Sequence, residues 1–152
     1  MVWAGRPRRD EWQRLCDDYR RRLSHWTRVE EVVVKVRGGG QGARRRAAEA
    51  EALRDALPER CWTVALDRRG KARDSEGLAR WYRKLNETWP HPLAFLIGSD
   101  LGLAPELRAE SRETVSFGPM TLPHQLARLV LYEQLYRALS IGAGIKYHRG
   151  PL

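Results

Sequence analysis

Apolar residues recur along the chain with two alternating periods. Short β-branched or apolar runs, typical of strands, lie at 1–5, 29–36, 61–66, 92–98 and 114–117. Segments with helical apolar spacing separate them, at 9–23, 43–57, 75–87, 104–111 and 126–141. Continuous apolar strands that alternate with helices are typical of a parallel sheet covered on both faces. The pattern predicts a single α/β domain over 1–152, with a central, mostly parallel sheet and helices on both faces.

The last predicted helix departs from the usual pattern of a surface helix. Its apolar residues occupy most of its circumference: Leu126, Leu129, Val130, Leu131, Leu135, Leu139 and Ile141. A helix of this kind is buried on more than one side, and one sheet in a small domain does not easily cover all of it. A subunit interface is the simplest way to cover the rest, so we expect a homodimer.

Charge indicates the kind of partner. The net charge is +9, and residues 1–50 carry 13 basic and 7 acidic side chains. Most of the basic residues are arginine, whose planar fork suits phosphate. A nucleic-acid partner is therefore expected, although a genome that favours arginine codons would also enrich arginine. No apolar run approaches the roughly 18 residues needed to span a bilayer, so we expect no membrane contact. Cys16 and Cys61 lack metal or redox spacing, and we expect reduced thiols in a cytoplasmic protein.

Three segments lie where ligands bind in open parallel sheets, beyond the carboxyl ends of strands. VALD ends at Leu66 and Asp67, and FLIG ends at Gly98, where a glycine lets a ligand approach the backbone. Residues 116–128 form a long connection that two prolines and a glycine keep irregular, and such connections are often functional. His124 opens the last helix, either as a cap or as a ligand contact.

Other candidates carry weaker signals. The glycine run at 38–42, ahead of three arginines, lacks the Lys-Ser/Thr of a P-loop; a mobile loop or a contact with RNA backbone both remain open. Glu133 and Arg137 are one helical turn apart, which predicts either a stabilising ion pair or an acid that orients an arginine in a site. The histidines are scattered without ligand spacing, so we expect no metal.

The segments FLIG at 95–98, SFGPMTLPHQLARLVLYEQLYRALSI at 116–141 and YHRGPL at 147–152 carry a resemblance that extends over essentially the whole chain. They closely resemble the bacterial 23S rRNA pseudouridine-N3 methyltransferases, which are SPOUT-class enzymes dependent on S-adenosyl-L-methionine. The resemblance implies a C-terminal trefoil knot that holds the cofactor, an exception to the rule that chains are unknotted. It also implies a homodimer that methylates N3 of a pseudouridine in 23S rRNA on the assembled ribosome.

Matching positions imply which residues form the site. The cofactor contacts would be Leu66, Gly98, Phe117, Gly118, Pro119, Met120, Thr121 and Leu122. The catalytic group would be Tyr147, His148, Arg149, His124 and Glu133. We hypothesise that Tyr147 orients the base, that His148 accepts or relays the N3 proton, and that Arg149 steadies the anionic ring or a phosphate. Ser99 stands where the family has a second glycine, and Asp100 follows it; both depart from the family pattern.

Two alternatives stay open at the level of sequence. One is a SPOUT methyltransferase with another RNA target, such as tRNA, against which the YHRGPL tail argues. The other is a non-catalytic RNA-binding or ribosome-assembly module that keeps the fold without the chemistry. Affinity for S-adenosylmethionine separates the second alternative from either enzyme.

Overall fold

The computed structural model describes residues 1–6, 10–35 and 41–148, with the backbone only for His148. Its strands are β1 (Val2–Ala4), β2 (Val32–Val34), β3 (Trp62–Ala72), β4 (Leu93–Ile97) and β5 (Glu113–Ser116). Its helices are α1 (Glu11–Ser24), α2 (Gly42–Asp55), α3 (Ser75–Thr88), α4 (Pro105–Glu110) and α5 (His124–Gly142). A 3₁₀ turn, Lys146–His148, follows α5.

The five strands form one sheet in the order β2-β1-β4-β3-β5, and every pair is parallel. The α/β prediction with a mostly parallel sheet is therefore confirmed. The trefoil knot and the covering of both faces stay predictions. Among the described residues, no helix combines the length and apolar character that a bilayer span requires.

The chain folds into two compact units. The first contains Met1–Arg8, Glu30–Ala72 and His91–His124, and so holds the whole sheet with α2 and α4. Its core is a cluster of buried apolar side chains from the strands, from α2, and from α4 and the two residues before it. The cluster contains Val2, Ala4, Val34, Ala50, Leu53, Ala65, Leu96, Leu103, Ala104 and Leu107. The second contains Arg9–Val29, Arg73–Pro90 and Gln125–Leu152. A single domain over 1–152 stays a prediction.

Helix boundaries follow local capping chemistry. The Asp10 carboxylate accepts from the backbone N–H of Gln13 at the start of α1, and Asp74 accepts from Gly77 N–H over 2.6 Å at the start of α3. Each bond satisfies an amide that has no partner within its helix. Pro105 opens α4, where its missing N–H costs nothing.

Strand β3 runs further than the sequence predicts. The sequence indicates a loop after Leu66, but pairing with β5 resumes at Lys71 after a break in register. Gly70 lies in this break, and a Cβ on it would fall 2.7 Å from the carbonyl of Thr114. The close approach of two backbones, which only glycine permits here, lets the strand resume.

The apolar faces of α1 and α5 are covered to different extents. Trp12 and Leu15 of α1, on a stripe typical of a core, are 39% and 48% exposed, whereas Leu23 is buried. In α5 no residue from 125 to 141 is exposed, yet Leu126, Leu129 and Val130 are only half-buried. The expected all-round burial of α5 is thus partly achieved within one chain, and apolar surface remains on it.

Candidate active site

The ends of three neighbouring strands bring together the predicted cofactor contacts. Leu66 of β3 is in register with Val115 of β5, and Ala65 is in register with Leu96 of β4. Gly98 follows β4 directly, and Phe117 follows β5 directly. Since all three strands are parallel, their carboxyl ends share one edge of the sheet, the usual place for a ligand in such folds.

Gly98 is required for a reason other than the one its sequence suggested. A Cβ on Gly98 would lie 2.4 Å from the carbonyl carbon of Gly102 and 2.6 Å from the amide of Leu103. Gly102 N–H donates to the Ser99 carbonyl over 3.0 Å, and Gly102 has a φ of +70°. The turn from 98 to 103 therefore folds back on its own strand end, and glycine is needed for this turn even before any ligand is considered.

The segment from Phe117 to Leu122 presents accessible backbone at the same edge. The Ser116 hydroxyl donates to the Gly118 carbonyl and accepts from the Gly118 N–H, which fixes the turn. Gly118 has a φ of +120°, and a Cβ on it would meet nothing within 4 Å. Pro119, Met120 and Thr121 are exposed. The segment therefore has open space beside Gly118 and exposed residues directly after it.

A polar network that includes the buried side chains of Glu49 and Ser99 supports the turn after β4. The Ser99 hydroxyl donates to Glu49 Oε2 over 2.7 Å, and Arg45 Nε donates to Glu49 Oε1 over 3.0 Å. Arg45 also contacts Asp100 over 2.7 Å, which lowers the pKa of that carboxyl. The two departures from the family pattern, Ser99 and Asp100, thus both bind α2 to the turn.

Asp67 ends the regular part of β3, and its carboxylate forms ion pairs with the guanidinium groups of Arg69 and Arg108. Burial opposes its ionisation, but the N–H of Arg69 and the guanidinium of Arg108, at 3.1 Å, together lower the pKa of Asp67. A carboxylate fixed in its charged form at this edge is a structural anchor for α4 and carries no proton at neutral pH.

His124 begins α5 and packs on the first strand. Its ring stacks on that of Trp3 with centroids 6.0 Å apart and planes 25° from parallel. Trp3 is fully buried, and its indole N–H donates to Glu31. The imidazole is therefore held by an aromatic face that is itself fixed in position.

In the second unit, Glu133 and Tyr147 form one hydrogen-bonded group. Glu133 Oε1 accepts from Arg137 Nε over 2.9 Å and from the Tyr147 hydroxyl over 3.3 Å, while Gln134 donates to Oε2. The Glu133–Arg137 pair predicted from their spacing is confirmed. The structure thus brings together two of the predicted catalytic residues, which are 14 positions apart.

Surrounding side chains hold the ring of Tyr147. The Tyr136 ring contacts it edge-on at 4.8 Å, and the Arg137 guanidinium lies 5.0 Å from its centroid. Burial, followed by the neighbouring Tyr19 hydroxyl and the negative charge of Glu133, raises the pKa of Tyr147 well above its usual value. The phenol therefore keeps its proton at neutral pH and acts as a hydrogen-bond donor.

Several of the remaining predicted residues lie partly or wholly outside the described part of the chain. His148 ends the 3₁₀ turn, and its side chain lies outside the described part, as does all of Arg149. Most of the glycine run at 38–42 also lies outside the described ranges. Among the described residues, no three His, Cys, Asp or Glu side chains converge as a metal site would require.

Sequence reasoning missed one close neighbour of the tail. The Tyr19 hydroxyl lies 3.1 Å from that of Tyr147, and the two residues are 128 positions apart. In the sequence, Tyr19 lies four positions from both Leu15 and Leu23, and a tyrosine at this helical spacing is usually a core residue. No local signal links a residue of the first helix to the chain's end.

The class of protein follows from comparison with known families. The family model described as "Predicted SPOUT methyltransferase" matches residues 1–148. Two solved structures share the fold. A probable methyltransferase from Bordetella pertussis matches with a TM-score of 0.55 and 17% identity, over 91% of this chain and 94% of that one. A probable methylase family protein from Haemophilus influenzae matches with a TM-score of 0.53 and 13% identity, over 99% of this chain and 70% of that one. The chain belongs to the SPOUT methyltransferase family, as its sequence predicted.

Three relatives with higher identity carry the name "Ribosomal RNA large subunit methyltransferase H". The protein of Stenotrophomonas maltophilia is 46% identical over 139 residues, covering 87% of this chain and 86% of that protein. That of Desulfotalea psychrophila is 41% identical over 133 residues, covering 88% of this chain and 87% of that protein. That of Gloeobacter violaceus is 38% identical over 150 residues, covering 99% of this chain and 97% of that protein. The similarity extends over nearly the full length of each chain.

Proposed function

We propose that this chain is an S-adenosylmethionine-dependent methyltransferase that modifies N3 of a pseudouridine in 23S rRNA on the assembled ribosome. The observation that carries the proposal is the sequence identity of 37–46% over most of the chain to proteins named for large-subunit ribosomal RNA. The arginine-rich first third supports it, because arginines supply the phosphate contacts that RNA requires.

The carboxyl edge of the sheet is the proposed cofactor site. Leu66, Gly98 and the segment from Phe117 to Leu122 would hold S-adenosylmethionine, which supplies a methyl group on a positively charged sulfur. The open space at Gly118 and the exposure of Pro119 to Thr121 support this assignment. The knot implied by the family resemblance would lie in the same C-terminal segment.

Helix α5 and the residues that follow it would supply the groups that handle the base. N3 of the pseudouridine must lose its proton to attack the methyl carbon, so the protein's tasks are to orient the nitrogen and stabilise the developing anion. Tyr147 keeps its own proton and so would orient the base, leaving His148 as the candidate to accept or relay the N3 proton. Arg149 would steady the anionic ring or a phosphate, and Glu133 would fix the position of the Tyr147 hydroxyl. His124 is the remaining member of the proposed catalytic group.

A homodimer is the proposed assembly. The half-buried apolar residues of α5, such as Leu126, Leu129 and Leu135, leave surface that a second copy would cover. Sedimentation equilibrium tests this point, and a mass of one chain at micromolar concentration would contradict it.

One experiment tests target and chemistry together. Ribosomes that lack the modification are incubated with the protein and S-adenosylmethionine carrying a labelled methyl group, and digests of 23S rRNA are analysed by mass spectrometry. We expect labelled N3-methylpseudouridine in the digest. Label in tRNA instead would indicate another target, and cofactor binding that cannot be detected by calorimetry would indicate an RNA-binding module.

A further inference from the structure

The Tyr147 hydroxyl lies between two polar partners on different helices. On one side is the Tyr19 hydroxyl of α1, at 3.1 Å, and on the other is Glu133 Oε1 of α5, at 3.3 Å. The side chain of Tyr147, in the 3₁₀ turn Lys146–His148, thus contacts both α1 and α5.

The direction of these hydrogen bonds follows from counting protons. The Glu133 carboxylate accepts from Arg137 and Gln134 and has no proton to give, so Tyr147 must donate to it. A tyrosine hydroxyl carries one proton, and that of Tyr147 is therefore committed to Glu133. Tyr19 must then be the donor in the bond between the two tyrosines.

Tyr19 is itself held firmly enough to act as an anchor. The Arg22 guanidinium lies 5.3 Å from the centroid of its ring, and Arg22 Nη2 is 2.7 Å from Asp18 Oδ2. The Tyr136 ring lies 6.2 Å away at a tilt of 59°. Tyr136 and Arg137 contact the ring of Tyr147 and so fix its plane, whereas Tyr19 and Glu133 bond its hydroxyl.

We infer that Tyr19 is a positioning residue for methyl transfer: its hydroxyl donates to Tyr147 and so holds the Tyr147 side chain in the orientation that the reaction needs. The inference rests on the proposed function, since it assigns Tyr19 a role in that reaction. It predicts that losing one hydroxyl on α1 slows the chemical step without weakening cofactor binding, because the proposed cofactor contacts belong to the sheet.

Tyr19→Phe removes the donor and keeps the ring, and Tyr82→Phe is the matched control. Tyr82 is also a half-buried tyrosine of the second unit, and its hydroxyl bonds Thr27 outside the network. We expect Tyr19→Phe to lower kcat about tenfold and to leave KM for S-adenosylmethionine within about twofold. Tyr82→Phe should leave both constants unchanged, while any loss of stability should be similar in the two variants.

A second measurement is independent of activity. Full-length protein labelled at tyrosine ¹³Cζ gives one signal per tyrosine, and Tyr147→Phe identifies the signal of Tyr147. We expect Tyr19→Phe to shift that signal and Tyr82→Phe to leave it in place. An unmoved signal, or a kcat equal to that of Tyr82→Phe, would overturn the inference. Failure of the wild-type protein to methylate rRNA would instead overturn the proposed function, whatever the signal does.

Discussion

The Ser99 hydroxyl donates a 2.7 Å hydrogen bond to the carboxylate of Glu49, and both side chains are buried. A buried carboxylate is tolerated only when its oxygens are bonded, and here Ser99 satisfies one oxygen and Arg45 the other. The bond connects α2 to the turn that follows β4, at the edge where the cofactor is proposed to bind.

Replacing Glu49 should therefore cost stability. Glu49→Ala leaves the Ser99 hydroxyl without its acceptor in a buried place, and we expect the free energy of unfolding to fall by about 1–3 kcal/mol. Denaturant titration measures the change. Glu51→Ala, at an exposed position of the same helix, is the control and should change stability by less than about 0.5 kcal/mol. Equal stability of the two variants would show that the network contributes nothing.

A methyl group at Gly98 should disturb the same turn from its other end. In Gly98→Ala the new Cβ would overlap the backbone of Gly102, which cannot yield as a flexible side chain could. We expect stability to fall by about 1–3 kcal/mol and the Kd for S-adenosylmethionine to rise at least about tenfold. Calorimetry gives the Kd. Gly142→Ala, where a Cβ meets nothing within 4 Å, should leave the Kd unchanged.

Asp67 should make stability depend on pH in the acid range. Because the pKa of Asp67 is lower in the folded protein than its ordinary value of 3.8, its stabilising effect is complete above pH 3.8 and is lost as the pH falls through the folded pKa. Asp67→Asn should cost about 1 kcal/mol at pH 7, and the difference from wild type should shrink below pH 3.8. Chemical unfolding at a series of pH values measures this. A difference that is constant with pH, or matched by the exposed Glu59→Gln, would contradict it.

Removing the tail should separate chemistry from cofactor binding. Deletion of residues 147–152 takes away Tyr147, His148 and Arg149 and leaves the sheet edge intact. We expect methyl transfer to be abolished and the Kd for S-adenosylmethionine to stay within about twofold. Deletion of 151–152 alone is the control and should retain activity. Full activity of the longer deletion would eliminate a catalytic role for the tail.

The sequence by itself determined the elements and the class of sheet. Local periodicity was sufficient because a strand buried on both faces needs a continuous apolar run, and PLAFLIG and CWTVAL are such runs. Helix starts were equally local, since the caps lie within three residues of the amides they satisfy. The Glu133–Arg137 ion pair could also be predicted, because side chains four positions apart in a helix lie on one face.

Only the tertiary structure decided which groups meet. Tyr19 reaches Tyr147 across 128 positions, Ser99 reaches Glu49 across 50, and Arg108 reaches Asp67 across 41. The structure also revealed that Gly98 is required by the backbone of its own turn and that β3 resumes beyond Gly70. Periodicity reports which face of an element is buried, whereas the partner on that face depends on how distant segments pack, and no local pattern encodes that.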